Sequence, residues 1–250
     1  MNRQAQAAVL FLLGASLLHA ATTDLYLRYV KQGLRPLVLL SGAVLIAAAV
    51  ATVWYERKRA RRQKQADHQD GHAHAHAHAH THPEPRVSWL LVLPLFALIL
   101  VAPPALGSYS ATRTGTALQE PLAYPALPAA DPLPLSVVDY AGRAVYDHGR
   151  TLRGRRVQLT GFLALDRDGT PYLARMALNC CAADAQPVKV ALTGQVPPVL
   201  QPDTWLRVTG TYTPRRAKDP VNGGPIPFVE VMEAKPVAAP KDPYDESGNS

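Results

Sequence analysis

The sequence predicts a membrane protein in two parts: an α-helical N-terminal half with three transmembrane helices, and a small all-β, OB-like barrel domain at the C-terminal end. Three observations support this prediction. The first 106 residues contain three apolar stretches, and a segment rich in proline and alanine follows them. Beyond that segment, short runs in which apolar and polar residues alternate indicate β-strands with one face toward a core.

The three apolar stretches cover residues 5–21, 34–55 and 87–106. At about 1.5 Å of rise per residue, a helix over each stretch spans, or nearly spans, a hydrocarbon core of about 30 Å. Residues 1–56 are therefore expected to hold two transmembrane helices, and residues 87–106 the third.

The distribution of basic residues predicts the orientation in the plasma membrane. Six lysines and arginines lie between residues 57 and 64, whereas the connection between the first two stretches offers three. Because such residues concentrate on the cytoplasmic side, we expect a multi-pass protein with its N-terminus and residues 57–86 in the cytoplasm and its C-terminal domain outside. The first stretch also has the features of a secretory signal peptide, and its cleavage would leave this orientation unchanged.

The net charge of +7 does not indicate a nucleic-acid partner. Residues 1–104 carry a net charge of +6 and residues 105–250 only +1, so the basic excess lies beside the apolar stretches. A nearly neutral outer domain lacks the positive surface that binding to a phosphate backbone requires. We therefore expect the lipid bilayer, and no nucleic acid, among the partners of the chain.

Histidines recur at every second position in the predicted cytoplasmic loop of residues 57–86. The run GHAHAHAHAHTH holds six of the nine histidines of the chain. In an extended backbone these imidazoles point to the same side and can bind Zn²⁺, Ni²⁺ or Cu²⁺ weakly, in interchangeable geometries. The run predicts capture or buffering of a metal, with a low-complexity linker as the alternative. The six residues are His72, His74, His76, His78, His80 and His82.

The outer half begins with residues 107–135, which are rich in alanine and proline and show no period. This composition predicts a semi-rigid extended linker. Ser136 and Asp139 have the spacing of a capping box, so a short amphipathic helix is expected to begin there. The helix opens the predicted extracytoplasmic domain of residues 136–236, and residues 237–250 are expected to form a disordered tail.

Five segments of mostly alternating polarity predict the strands of that domain: VQLTGFLAL, YLARMAL, VKVAL, WLRVTGTYT and PFVEVME. Asp168 and Gly169, between the first two segments, are typical of a hairpin turn, and Gly161 and Gly210 are expected to mark bulges. Closing five short strands into an antiparallel barrel protects the sheet edges. An OB-like barrel is therefore expected, with a small sandwich as the alternative.

The only two cysteines of the chain, Cys180 and Cys181, are adjacent, and Asp184 lies within the same five residues. Adjacent thiols can form a vicinal disulfide, or they can bind a soft or borderline metal with Asp184 as a third donor. Adjacent cysteines do not readily fill two vertices of a tetrahedron, so a mononuclear Zn²⁺ site needs a further ligand. A purely structural turn, capped by Asp184, is the third alternative.

Motifs of common enzymes are absent from the sequence, which contains no GxSxG, Walker A, HExxH, GxGxxG or CxxC pattern. The chain is therefore not expected to be an enzyme or to bind a nucleotide or organic cofactor. Zn²⁺ is the ion that we expect, because cysteine and histidine are its usual ligands in proteins.

Four short segments of the chain carry a resemblance to a known family. They are LGS at residues 106–108, GRRVQLTGF, ARMALNCCAADA and DTWLRVTGT. Together with the membrane N-terminal half, they resemble the YcgQ-type family of uncharacterised bacterial membrane proteins over most of the chain. The histidine run looks like a lineage-specific insertion in the loop of residues 57–86, outside the segments that carry the family resemblance.

Members of that family are described as permease subunits because they are typically encoded beside a polytopic permease. The resemblance implies a polytopic permease in the membrane as partner, but no substrate. It predicts an accessory or binding subunit of a permease complex, for a transition metal such as zinc. The alternative is an extracytoplasmic thiol-redox protein that uses the adjacent cysteine pair.

Overall fold

The computed structural model describes residues 3–67, 104–197 and 201–246, together with Leu93. It divides into two compact units, one formed by residues 1–23 and 33–103, the other by residues 24–32 and 104–250. The histidine run and nearly all of the predicted third transmembrane stretch lie outside the described residues.

The first unit contains two long helices, α1 (Arg3–Thr22) and α2 (Arg35–Asp67). Both are long and apolar enough to cross a membrane, judged by length and composition. They approach closely at two glycines: a Cβ on Gly14 would lie 2.8 Å from the carbonyl oxygen of Gly42, and a Cβ on Gly42 would lie 3.0 Å from that of Gly14. Small residues of this kind allow close contact between membrane helices.

The second helix continues beyond the apolar stretch into the segment that was expected to begin a loop at residue 57. Its last turns hold the basic cluster ERKRARRQK. Lysine, arginine, glutamine, glutamate and alanine are strong helix formers, and the segment contains no glycine or proline to end the helix. The apolar pattern therefore does not predict where the helix ends.

The second unit is built around a five-stranded β-barrel, as the sequence predicts. The strands are β2 (Arg156–Leu165), β3 (Pro171–Leu178), β4 (Gln186–Gly194), β5 (Trp205–Lys218) and β6 (Pro225–Pro236). They close in the order β2, β3, β4, β6, β5 and back to β2. Neighbouring strands are antiparallel except β4 and β6, which are parallel.

Two short strands extend the sheet of the barrel. They are β1 (Leu133–Pro134), parallel to β2, and β7 (Tyr244–Glu246), parallel to β3. Among its described residues this unit also contains the α-helices α3 (Ser108–Arg113) and α4 (Val137–Val145) and the 3₁₀ helix Asp24–Arg28. The predicted cap of α4 is confirmed, since the Asp139 N–H donates to Ser136 Oγ at 2.9 Å.

Alternating side chains of the strands build two apolar clusters. One cluster contains Leu159, Leu163 and the buried face of α4, and the other contains Phe162 and Ala174 with residues of α3 and β7. Nearly every residue of β3 and β4 is buried, because both faces of these strands are covered.

The predicted bulge at Gly210 is confirmed by a shift in the β5–β6 register between Thr209 and Gly210. The predicted bulge at Gly161 is wrong, because the β2–β5 register runs unbroken through this residue. A Cβ on Gly161 would lie 2.7 Å from the carbonyl oxygen of Ala174, so close approach of the next strand explains this glycine.

The predicted linker of residues 107–135 and the predicted disordered tail of residues 237–250 differ from expectation where the structure describes them. Leu118 and Leu127 of the linker pack against the core of the barrel. In the tail, Asp245 forms an ion pair with Arg175 at 2.9 Å, and the two side chains are 10% and 9% exposed. These contacts fix the described parts of both segments, and the composition of the segments does not predict such contacts.

Candidate functional site

The two cysteines lie in the loop between β3 and β4, where a short 3₁₀ turn, Ala182–Asp184, interrupts the alternating pattern. The Asp184 side chain folds back over the loop. Its Oδ1 accepts a hydrogen bond from the Asn179 N–H at 3.0 Å, and its Oδ2 accepts one from the Cys180 N–H at 2.9 Å. Small alanines at positions 182 and 183 fit the tight turn, so the sequence NCCAADA encodes a loop closed by its own carboxylate.

The loop brings together the three ligands that the sequence predicts here. A ligand atom from each of Cys180, Cys181 and Asp184 lies within 4.8 Å of the other two. The Cys180 thiol is exposed, the Cys181 thiol is half-buried, and both are free. The other six predicted metal ligands, the histidines of the run, lie outside the described residues, so the structure does not place them relative to this site.

A hydrogen bond from the Cys180 thiol to Asp184 Oδ2, 3.0 Å long, controls the charge of the site. This bond, with smaller contributions from Cys181 and desolvation, raises the pKa of Cys180 to about 11. The same bond lowers the pKa of Asp184, against the effect of desolvation. At neutral pH the proton therefore resides on sulfur and the negative charge on the carboxylate, so a cation that binds both groups must displace the thiol proton.

A small recess of about 70 Å³ lies beside the carboxylate. Its polar lining comes from Gln119, Asn179, Asp184 and Gln186. The recess has room for a few water molecules, and its amide groups can orient water ligands of a bound ion. Asn179 and Gln186 flank the cysteine loop in sequence, whereas Gln119 is distant and gives no local signal of its role.

Residues 24–32, which connect α1 to α2 in the sequence, pair with the cysteine loop; we call this segment the connector. The Lys31 N–H donates to the Cys180 carbonyl at 3.1 Å, and the Ala182 N–H donates to the Tyr29 carbonyl at 2.7 Å. Val30 and Cys181 form an antiparallel β-bridge. This contact is not predictable from residue types, because it joins backbone groups of two segments that are far apart in the sequence.

A larger cleft, of about 880 Å³, lies elsewhere on the second unit. Phe162 and Trp205 line it with their ring centroids 5.8 Å apart. Charged side chains of both signs also line it, namely Arg28, Lys241, Asp24 and Asp203. Such a lining suits an amphiphilic molecule. The cleft leaves no local pattern in the sequence, because its walls come from segments that are far apart in the chain.

Two family models match the chain. Residues 5–117 match the DUF1980 N-terminal domain, and residues 139–245 match the DUF1980 C-terminal domain. The cysteine loop lies within the C-terminal match, whereas the connector lies within the N-terminal match although it packs in the same compact unit as the barrel. No curated protein and no solved structure matches the chain.

Proposed function

We propose that this protein of the DUF1980 family is an integral-membrane accessory or binding subunit of a permease complex, and that it binds a transition-metal ion such as Zn²⁺. The proposal rests on one observation above the others: two free thiols and a carboxylate, from Cys180, Cys181 and Asp184, converge within 4.8 Å on an accessible loop. The role is binding, and no catalytic step is assigned to these residues.

The donor set suits a borderline metal ion. Two sulfurs at about 2.3 Å from a tetrahedral Zn²⁺ lie roughly 3.8 Å apart, so the present arrangement needs at most a contraction of about 1 Å. Three donors leave a coordination position for water or for a residue of a partner. A site that is open in this way favours capture and transfer of an ion over a purely structural role.

The membrane part of the proposal is supported by α1 and α2, whose length and composition suit membrane helices. The YcgQ-type resemblance supplies the polytopic permease as partner. The histidine run, on the predicted cytoplasmic side, then serves as a buffer for the ion. The order in which the strands close supports an OB-like barrel, a fold that commonly presents binding loops.

The second candidate function is thiol-redox chemistry, which the proximity of two free thiols favours. In that reaction the two thiols lose two electrons and two protons to an external oxidant and form a vicinal disulfide. The hydrogen bond from Cys180 to Asp184 opposes it, because a thiol with a pKa of about 11 forms little thiolate at neutral pH. A divalent cation, in contrast, can displace this proton, because it brings positive charge to the Asp184 carboxylate. We therefore rank metal binding first.

Metal binding by the full-length protein in detergent tests the proposal. All six histidines of the run are first replaced by serine, so that only the cysteine loop is measured. The double variant Cys180→Ser/Cys181→Ser should then lose one equivalent of Zn²⁺ or Co²⁺, and Asp184→Asn should weaken binding about tenfold or more.

Asp168→Asn is the matched control, because the Asp168 carboxylate lies in the exposed β2–β3 hairpin and its loss should not affect metal binding. Equal stoichiometry with and without the cysteines would refute the proposal. A mass two hydrogens lower in the untreated protein, restored by mild reduction with no metal present, would instead support the redox function.

A further inference from the structure

The connector holds the backbone on both sides of the half-buried thiol. Lys31 bonds to the peptide group that joins Cys180 to Cys181, and Tyr29 bonds to the peptide group that follows Cys181. Both peptide groups that flank the Cys181 Cα are therefore fixed by one segment. In the strand-like backbone at Cys181 (φ −153°, ψ 169°), neighbouring side chains tend to point to opposite faces, so the approach of the two sulfurs depends on how this backbone is held.

Other contacts anchor the connector independently of the cysteine loop. Tyr26 and Leu27 are 5% and 6% exposed. The Tyr244 hydroxyl donates to the Arg28 carbonyl at 3.0 Å. Asp24 forms an ion pair with Lys241 at 3.0 Å, although both side chains are exposed. The connector is thus a fixed support for the loop, not a flexible turn that rests on it.

From these contacts we infer that the connector is a positioning element of the metal site: it holds the backbone that brings both thiols to Asp184, and a bound ion in turn stabilises the connector. This inference rests on the proposed metal binding. Because the connector joins α1 to α2 in the chain, occupancy of the site is linked to the turn between the two apolar helices. Thermodynamic linkage makes the effect reciprocal, so any change that releases the connector from the cysteine loop also lowers the affinity of the site for the metal ion.

The test compares two substitutions at one position in the full-length protein, in the background without the six histidines of the run. Lys31→Pro removes the N–H that donates to Cys180, and Val30, already paired in a β-bridge, suits the extended backbone that proline imposes on its predecessor. Lys31→Ala keeps this N–H and is the matched control. Co²⁺ is the probe, since absorption from sulfur-to-cobalt charge transfer reports ligation by the thiolates.

We expect Lys31→Pro to weaken Co²⁺ binding about tenfold and Lys31→Ala to leave it unchanged. Equal affinity of both variants would overturn the inference while leaving metal binding intact. If the original chain shows no sulfur-to-cobalt absorption, both the proposed function and this inference fail.

Hydrogen exchange provides a measurement that does not depend on the folding of the proline variant. Zn²⁺ should slow exchange of the Lys31 amide about tenfold in the chain with both cysteines and should have no effect in Cys180→Ser/Cys181→Ser. Exchange that is unchanged by Zn²⁺, in a protein that demonstrably binds the ion through its thiols, would contradict the link between site and connector.

Discussion

At the scale of single residues, the bond between Cys180 and Asp184 sets the chemistry of the site. The carboxylate keeps the exposed thiol protonated at neutral pH, which protects it from alkylation and oxidation. A divalent cation can replace that proton, because it brings positive charge to the same carboxylate. The site therefore discriminates between reagents that need a free thiolate and ions that displace a proton.

Asp184→Asn tests this control directly. In a Cys181→Ser background only the Cys180 thiol can react, and loss of the carboxylate charge should return its pKa toward the ordinary value of 9.0. At pH 8 the thiolate fraction then rises from about one in a thousand toward about one in ten, so alkylation by iodoacetamide should become at least about tenfold faster. Asp168→Asn should leave the rate unchanged, and an unchanged rate in Asp184→Asn would contradict the assigned role of the carboxylate.

At the scale of secondary-structure elements, a buried ion pair joins β4 to the loop after β5. Lys189 and Asp219 lie 2.7 Å apart, with side chains only 3% and 0% exposed. Burial acts to raise the pKa of Asp219, but hydrogen bonds from Lys189, Val221 and Thr116 outweigh it and lower the pKa below 3.8. The pair therefore contributes its full stability at neutral pH and loses it only as the pH falls below 3.8 toward the lower folded value.

Asp219→Asn should lower the stability of the barrel by about 3 kcal/mol, because it leaves Lys189 charged and buried without its counter-ion. Asp131→Asn is the matched control, because Asp131 also forms an ion pair, with Arg156 at 2.8 Å, but both of these side chains are at least half exposed. Thermal unfolding of the full-length protein, followed by near-UV circular dichroism, should show a midpoint lower by roughly 10 °C in Asp219→Asn and little change in Asp131→Asn. Equal midpoints would show that the buried pair is not critical.

Elements that follow from a local sequence pattern were predictable, and elements held by distant segments were not. The five strands, the α4 cap and the β2–β3 turn were predictable because each follows from a local pattern, namely a period of two, a Ser136–Asp139 spacing and an Asp-Gly pair. The cysteine loop was predictable for the same reason, as its three ligands lie within five residues. The connector contact and β7 were not predictable, because both join the barrel by backbone pairing with distant segments, and such pairing does not require particular residue types.

At the scale of the whole molecule, the proposed function places two metal-binding segments on opposite sides of a membrane. This arrangement depends on the predicted orientation, which the basic residues between positions 57 and 64 indicate. Alkaline phosphatase, which is active only outside the cytoplasm, should be active when fused after Ser250 and inactive when fused after Gln69. The reverse pattern would place the histidine run outside and the cysteine loop inside, and the buffering role would then be lost.

The Tyr244 hydroxyl joins three parts of the chain that are made at very different times. It donates to the Arg28 carbonyl, 216 residues earlier in the chain, and accepts from the Leu106 N–H at 3.2 Å. Because a ribosome synthesises the chain from its N-terminus, the connector is complete long before its partner in β7 exists. The hydrogen bonds that Tyr244 makes to the connector and to Leu106 can therefore form only after the whole barrel has been synthesised, and a polypeptide that is terminated before β7 leaves the Arg28 carbonyl without this donor.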